Sequence, residues 1–257
     1  MSRIVQNAHD TQLFYFNRVR FCVSHDDARS DWGQPMLDAL PAQTKTRICI
    51  GVCTFRRPKM LTACLESLML QIRPNDIEVE IVVVDNEPWS NNRDIVNLLR
   101  LRSPHLLRYM HEPRRGIAVA RNRVIDAALS HHCDWIAFID DDEVADPFWL
   151  VELMAREYRE TPVLVGNVEY VYPTPLPFWA VPKTPRRKPE GHREKTATTT
   201  NVRFSMKLVR AGLRFNEQLG LMGGEDQEFF SAAHKLGYEI RRTQGAHTWE
   251  TFHRARL

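Results

Sequence analysis

The chain has 257 residues, of which 43% are hydrophobic and 26% charged, and its formal net charge is +3. That length suits one α/β domain with an annex, and that composition excludes intrinsic disorder, collagen-like repeats and a coiled-coil rod. So small a charge gives no global signal for nucleic acid, no window approaches the ~20 apolar residues of a membrane span, and the N-terminus lacks the apolar core of a signal peptide.

In chain order, residues 1–46 read as an extension. Leu13–Phe16 and Val19–Val23 alternate weakly, as edge strands do, and 24–46 is polar. From Arg47 the texture changes. Ile48–Thr54 reads as a buried strand. A helix follows over 59–71, with Leu61, Leu65, Leu68 and Met69 at helical spacing and Pro58 in its first turn. Val79–Val84 is a β-branched run of the kind found in buried parallel strands. Asp94–Arg102 reads as helix, Leu107–His111 as strand, Gly116–Ser130 as helix and Trp135–Ile139 as strand. Phe148–Arg159 reads as one helix and Val163–Tyr172 as a strand. A proline-rich stretch over 173–200 then breaks the alternation. It carries Lys183, Arg186, Arg187, Lys188, Arg193 and Lys195, and reads as a mobile loop. Val202–Leu208 resumes order. Glu225–Leu236 reads as a helix ended by Gly237, 238–243 as the last strand, and 247–257 as a mixed tail.

The five cysteines, Cys22, Cys49, Cys53, Cys64 and Cys133, are odd in number and scattered. They argue against a disulfide scaffold and for a reduced, cytoplasmic protein. Cys49 and Cys53 fall on one face of a strand, which marks them as core residues rather than zinc ligands.

Strand–helix alternation predicts an α/β fold: a mostly parallel central sheet with helices on both faces. Ligands of such sheets sit beyond the carboxyl ends of the strands. Those ends hold Thr54–Arg57, Asp85–Glu87 and Asp140–Glu143, polar where the strands are not. Neither a GxxxxGK[ST] loop nor a GxGxxG after the first strand is present, so P-loop and dinucleotide enzymes are disfavoured. Four consecutive acids, Asp140 to Glu143, are costly unless something neutralises them. On extended backbone Asp140 and Asp142 point to the same side, two hard oxygen ligands for Mg²⁺ or Mn²⁺. A second acidic pair, Glu225-Asp226, follows two glycines at a helix start, where a carboxylate stays ionised and can accept a proton.

These residues resemble the bacterial family 2 glycosyltransferases of GT-A fold, the type that builds exopolysaccharide and other surface glycans. The resemblance runs from about Arg47 onward. It rests on Val52-Cys53-Thr54-Phe55-Arg56-Arg57-Pro58, Ile81-Val82-Val83-Val84-Asp85-Asn86, Gly116-Ile117-Ala118-Val119-Ala120-Arg121-Asn122, Phe138-Ile139-Asp140-Asp141-Asp142 and Gly223-Gly224-Glu225-Asp226, in family order. It implies a nucleotide-sugar-binding half over 47–150 and an acceptor-binding half over 151–257 of one GT-A domain. It assigns donor contacts to Thr54, Arg56, Asp85, Arg121, Asp140 and Asp141. Asp140 and Asp142 become metal ligands, with His247, preferred over His253, as a third. Asp226 becomes the catalytic base of an inverting transfer, and Glu225 and Trp179 face the acceptor. The implied cofactor is Mn²⁺ or Mg²⁺. The implied partners are a nucleotide-sugar, foremost a UDP-sugar, and a glycan or polyprenyl-linked acceptor, with no nucleic acid. The expected location is the cytoplasm, with peripheral contact at the inner face of the membrane. Residues 1–46 lie outside the shared pattern, and Ala232-Ala233-His234 stands where relatives often place an arginine. Two other readings stay open on the residues alone. One is a sugar nucleotidyltransferase, although Thr54-Phe55-Arg56-Arg57-Pro58 lacks the glycines of a triphosphate loop. The other is a non-catalytic module that binds through the basic loop.

Overall fold

The computed structural model describes residues 45–89, 92–171, 188–219 and 223–251. The extension read over 1–46, apart from its last two residues, and Trp179 lie outside them.

The first half alternates as the hydrophobic pattern demands. Strand β1 (Thr46–Thr54) leads to α1 (Pro58–Met69), β2 (Ile77–Asp85), α2 (Arg93–Arg100), β3 (Leu106–His111), α3 (Ile117–Ser130) and β4 (Trp135–Ile139). Pro58 sits in the first turn of α1, where its missing N–H costs nothing. The second half is more broken. It holds β5 (Glu143–Ala145), α4 (Trp149–Leu153), β6 (Val163–Val171), β7 (Arg193–Glu194), β8 (Asn201–Ser205), α5 (Met206–Arg210), α6 (Glu225–Lys235) and β9 (Ile240–Thr251).

Nine strands among the described residues form one sheet in the order β3-β2-β1-β4-β8-β6-β9-β5, with β7 paired to β9. The β3-β2-β1-β4 part is parallel throughout. Strand β8 enters antiparallel to β4 and β6, while β6 and β9 run parallel over most of their length. Alternate β1 residues feed opposite faces. Ile48, Ile50 and Val52 pack with Leu61, Leu65, Leu68, Val96 and Trp149 of α1, α2 and α4. Cys49 packs on the other face with Val124, Ile125, Phe229 and Phe230 of α3 and α6. Cys49 is a buried free thiol, as its core reading predicts, while Cys53 is only partly buried; Cys64 and Cys133 are buried free thiols as well. Gly51 is required on the α3 face, because a Cβ there would lie 2.5 Å from Val124 Cγ1 and 2.8 Å from Phe138 Cε1.

Three expectations are corrected. The helix read over Phe148–Arg159 ends at Leu153; Ala155 is extended, with ψ of 140°, and a 3₁₀ turn follows over Arg156–Tyr158. The last strand runs to Thr251, so His247 and Trp249 lie in a paired strand and not in a tail. In the described part of the loop read over 173–200, β7 pairs with β9, and Lys188 and Arg242 both bond Glu194; residues 173–187 lie outside the described residues. Asp140–Glu143 is a turn and not extended chain, closed by Glu143 N–H on the Asp140 carbonyl at 3.2 Å.

Candidate active site

The carboxyl ends of β1, β2 and β4 and the start of α3 enclose a cleft of about 350 Å³. Thr54, Phe55 and Arg57 line one wall, Asp140 and Asp141 the floor, and Arg115, Gly116 and Arg121 the other wall. Asn86 builds this mouth. Its Nδ2 donates to the carbonyls of Glu112 and Arg114, at 2.9 and 2.7 Å, and its Oδ1 accepts from Gly116 N–H at 2.9 Å. Gly116, at φ of 141°, caps α3, so a helix amino terminus opens onto the cleft and favours negative charge there.

The acidic turn is fixed from β1. Thr54 Oγ1 donates to Asp141 Oδ2 at 2.7 Å. Arg57 Nη1 donates to Asp141 Oδ1 at 3.1 Å and to Asp142 Oδ2 at 2.7 Å. Burial pushes the Asp140 carboxyl up to about 6, with Asp142, Asp141 and Glu250 adding to the rise and Arg121 opposing it. Burial raises Asp141 as well, against the pull of Thr54 and Arg57. Behind them Glu143 is fully buried, and burial with the nearby Asp140 and Glu250 drives its carboxyl well above the usual range. Burial depresses Arg57, yet Asp141, Asp142 and Asp140 together outweigh it and raise its pKa.

The second acidic pair is linked to the cleft wall through Arg121. Arg121 Nη1 donates to Glu225 Oε1, and both side chains are almost wholly buried. Glu225 is the first residue of α6, which follows Gly223 and Gly224 at φ of 77° and 92°. Only glycine adopts such backbone cheaply. Asp226 is half-buried. Its carboxylate accepts from Gln227 N–H at 2.7 Å and Thr199 N–H at 3.4 Å. Phe229 and Phe230 of α6 pack on Phe204 and Phe215, with Phe215 and Phe229 centroids 4.4 Å apart. That packing holds the helix start in place.

Other predicted site residues stand apart from this cleft. Asp85 is fully buried, where its oxygens accept from Glu87 N–H and Asn92 Nδ2 and order the end of β2. Arg56, at φ of 58°, turns outward onto Glu87 and the Phe55 ring, so Arg57 rather than Arg56 lines the cleft. His247 Nδ1 lies 3.2 Å from Asn167 Nδ2, and its ring stacks on Trp249. Among the described residues no three His, Cys, Asp or Glu side chains are arranged to hold a metal ion. Arg115 is a cleft residue that sequence reasoning missed, whereas Arg57 and Asn86 fell within the strand-end groups but were assigned no donor contact. The signal for Arg57 was its place directly after a buried strand.

Residues 49–214 match the family described as glycosyl transferase family 2. The chain belongs to glycosyl transferase family 2. Over 215 residues it is 34% identical to the succinoglycan biosynthesis protein ExoM of Rhizobium meliloti, a match covering 78% of this chain and 65% of ExoM. It is 26% identical to the putative glycosyltransferase EpsH of Bacillus subtilis over 47% of this chain and 33% of EpsH. The chain thus spans less than two thirds of the length of these relatives. Its fold matches that of S. aureus TarS in complex with UDP-GlcNAc, with a TM-score of 0.61 and 20% identity over 81% of this chain and 59% of TarS. It also matches GalNAc-T7 with UDP, GalNAc and Mn²⁺, with a TM-score of 0.63 and 15% identity over 82% of this chain and 45% of that one. The GT-A expectation therefore holds. Family membership sets aside the nucleotidyltransferase and binding-module readings. Two of the three described lysines and arginines of the basic stretch are paired, Lys188 with Glu194 and Arg193 with Glu239.

Proposed function

We propose that this chain is an inverting glycosyltransferase that moves a sugar from a nucleotide-sugar, foremost a UDP-sugar, to a glycan or polyprenyl-linked acceptor in surface-glycan synthesis. One observation carries the reading. The buried Arg121–Glu225 pair joins the cleft wall to the first turn of α6, the turn that also carries Asp226. Relatives support it: TarS binds UDP-GlcNAc, GalNAc-T7 binds UDP with Mn²⁺, and ExoM is named for succinoglycan biosynthesis.

The donor's diphosphate would meet the α3 amino terminus and the arginines of the cleft walls, while Thr54, Asp140 and Asp141 would hold the sugar–nucleotide portion. The donor set also fits a divalent cation. It offers hard carboxylate oxygens, and a guanidinium nitrogen already sits between Asp141 and Asp142. Asp142 with Asp140 would hold the ion, and diphosphate oxygens would supply the remaining ligands, as is usual for Mg²⁺-type sites. When bound, the metal stabilises charge on the leaving diphosphate. Asp226 takes the proton of the acceptor hydroxyl as it attacks from the opposite face. One displacement inverts the anomeric centre, and no second carboxylate is assigned to form a covalent intermediate. Glu225, fixed by Arg121, would orient the acceptor side.

Among the described residues no helix is long and apolar enough to cross a membrane. We place the protein in the cytoplasm, with peripheral contact at the inner face of the membrane where a lipid-linked acceptor would lie. The test is a panel of UDP-, GDP- and dTDP-sugars with Mn²⁺, scored for hydrolysis and transfer by mass spectrometry. Turnover of one nucleotide class that Asp226→Asn removes supports the reading. Absence of turnover with every donor and acceptor glycan refutes it.

A further inference from the structure

The residue that closes the acidic turn is an arginine on a fixed stem. Arg57 directly precedes α1, and its carbonyl accepts from Leu61 N–H at 2.9 Å, so its backbone is anchored. Its side chain is 40% exposed, whereas those of Asp141 and Asp142 are 6% and 2% exposed. Asp141 is held a second time by Thr54. The carboxylates are therefore the fixed partners and the guanidinium is the one with room to turn. The neighbouring Arg56 has no such choice, because Glu87 takes two of its nitrogens.

We propose that Arg57 is a tethered cation that occupies the acidic turn until a nucleoside diphosphate arrives, and then moves its guanidinium from Asp142 to the diphosphate. This positioning role rests on the donor reading above. It follows from charge accounting at one spot. A divalent ion approaching Asp142 alone meets a guanidinium at 2.7 Å and must displace it. It finds no three-residue ligand set among the described residues to reward that displacement. A diphosphate changes both terms, since it brings oxygens for the metal and a planar acceptor pair that an arginine fork matches. Arg57 already lines the cleft, so the move is a side-chain rotation and not a loop rearrangement. The consequence is that metal and donor load together.

The experiment titrates Mn²⁺ by electron paramagnetic resonance, with and without UDP, into wild type, Arg57→Gln and Arg57→Ala. Without UDP, both variants should bind Mn²⁺ about fivefold more tightly than wild type, the scale of losing a part-exposed ion pair. With Mn²⁺ present, both should bind UDP more weakly than wild type by calorimetry. Arg57→Lys should recover part of the UDP affinity through charge alone. Thermal melts check folding, and Arg57→Gln keeps the stem packing should Arg57→Ala unfold. Unchanged or weaker Mn²⁺ binding by a folded variant without UDP overturns the proposal, and so does unchanged UDP affinity. Failure of wild type to bind UDP and Mn²⁺ in any combination overturns the donor reading itself, which separates the two outcomes.

Discussion

The two halves of the sheet are stabilised differently. Strands β3, β2, β1 and β4 run parallel and bury mostly aliphatic side chains, with polar groups such as Thr54 and Asp85 gathered at the strand ends. Strands β8, β6, β9 and β5 mix directions and bury Asn201, Arg203, Glu143, Thr248 and Glu250 within the strands themselves. Arg203 shows the difference. It is fully buried over the Trp135 ring, donates to the carbonyls of Tyr158 and Thr161, and is pushed down to about 9 by burial. In the first half water exclusion does most of the work, and chemistry is confined to the rim. In the second half the fold depends on satisfied polar networks, where losing one partner strands the others.

The largest expected effect tests whether the halves divide the chemistry as well. Asp226→Asn keeps an oxygen for the Gln227 N–H contact, so stability and UDP binding should stay close to wild type. Single-turnover transfer should fall by about 10²-fold, the scale of losing a positioned base. Asp142→Ala in the first half should do the reverse and weaken UDP–Mn²⁺ binding before it changes folding. If the two variants behave alike in calorimetry and transfer, the division of labour is wrong.

Next comes the polar network. Asn201 accepts from Trp149 Nε1 at 2.9 Å, donates to the Ala246 carbonyl at 2.9 Å, and fills the space above Gly166 that a Cβ would need. Asn201→Leu leaves those partners unpaired in the core and should cost about 3 kcal/mol by urea unfolding. The matching change in the aliphatic half is Gly51→Ala, whose methyl meets Val124 and Phe138. We expect it to cost about 1–2 kcal/mol, because overpacking is partly relieved by side-chain shifts. Equal costs would erase the contrast between the halves.

That contrast also explains what the sequence could tell. The aliphatic runs of β1, β2 and β4 and the helical spacing in α1 and α3 were readable because hydrophobic period alone places them. The strand-end rule then brought Thr54, Asp140 and Asp141 to one cleft. In the second half the local signals mislead. Gly245 looks like a strand end, yet β9 continues through it because the Glu152 carboxylate fills the place of its missing side chain. Strand β7 is two charged residues with no apolar signal at all. Alternation placed Asp140 and Asp142 on one side, but the chain turns there, and the observed link runs from Asp141 to Asp142 through Arg57. Nothing in Arg56-Arg57 says which arginine faces inward; the left-handed backbone at Arg56 decides it.

The smallest effect expected is a pH dependence at the point where the halves meet. Asp140 follows β4 directly, and burial lifts its carboxyl from an ordinary 3.8 to about 6. Below about pH 4 the group is protonated in folded and unfolded chains alike, so it carries no penalty. Between the two values the fold holds a proton that the unfolded chain has released, and stability falls as pH rises. Above about pH 6 the half-buried carboxylate is charged and the loss is complete. Asp140→Asn cannot titrate. In EDTA, the melting temperature of the variant minus that of wild type should therefore become more positive from about pH 4 to about pH 7. Arg121 limits the size of the change, because it favours the charged form. Added UDP with Mn²⁺ should reverse the trend by stabilising wild type alone at the higher pH. A difference that stays flat with pH in EDTA would show that Asp140 is solvated like an ordinary carboxylate, and the polar rim would then be wetter than its burial indicates.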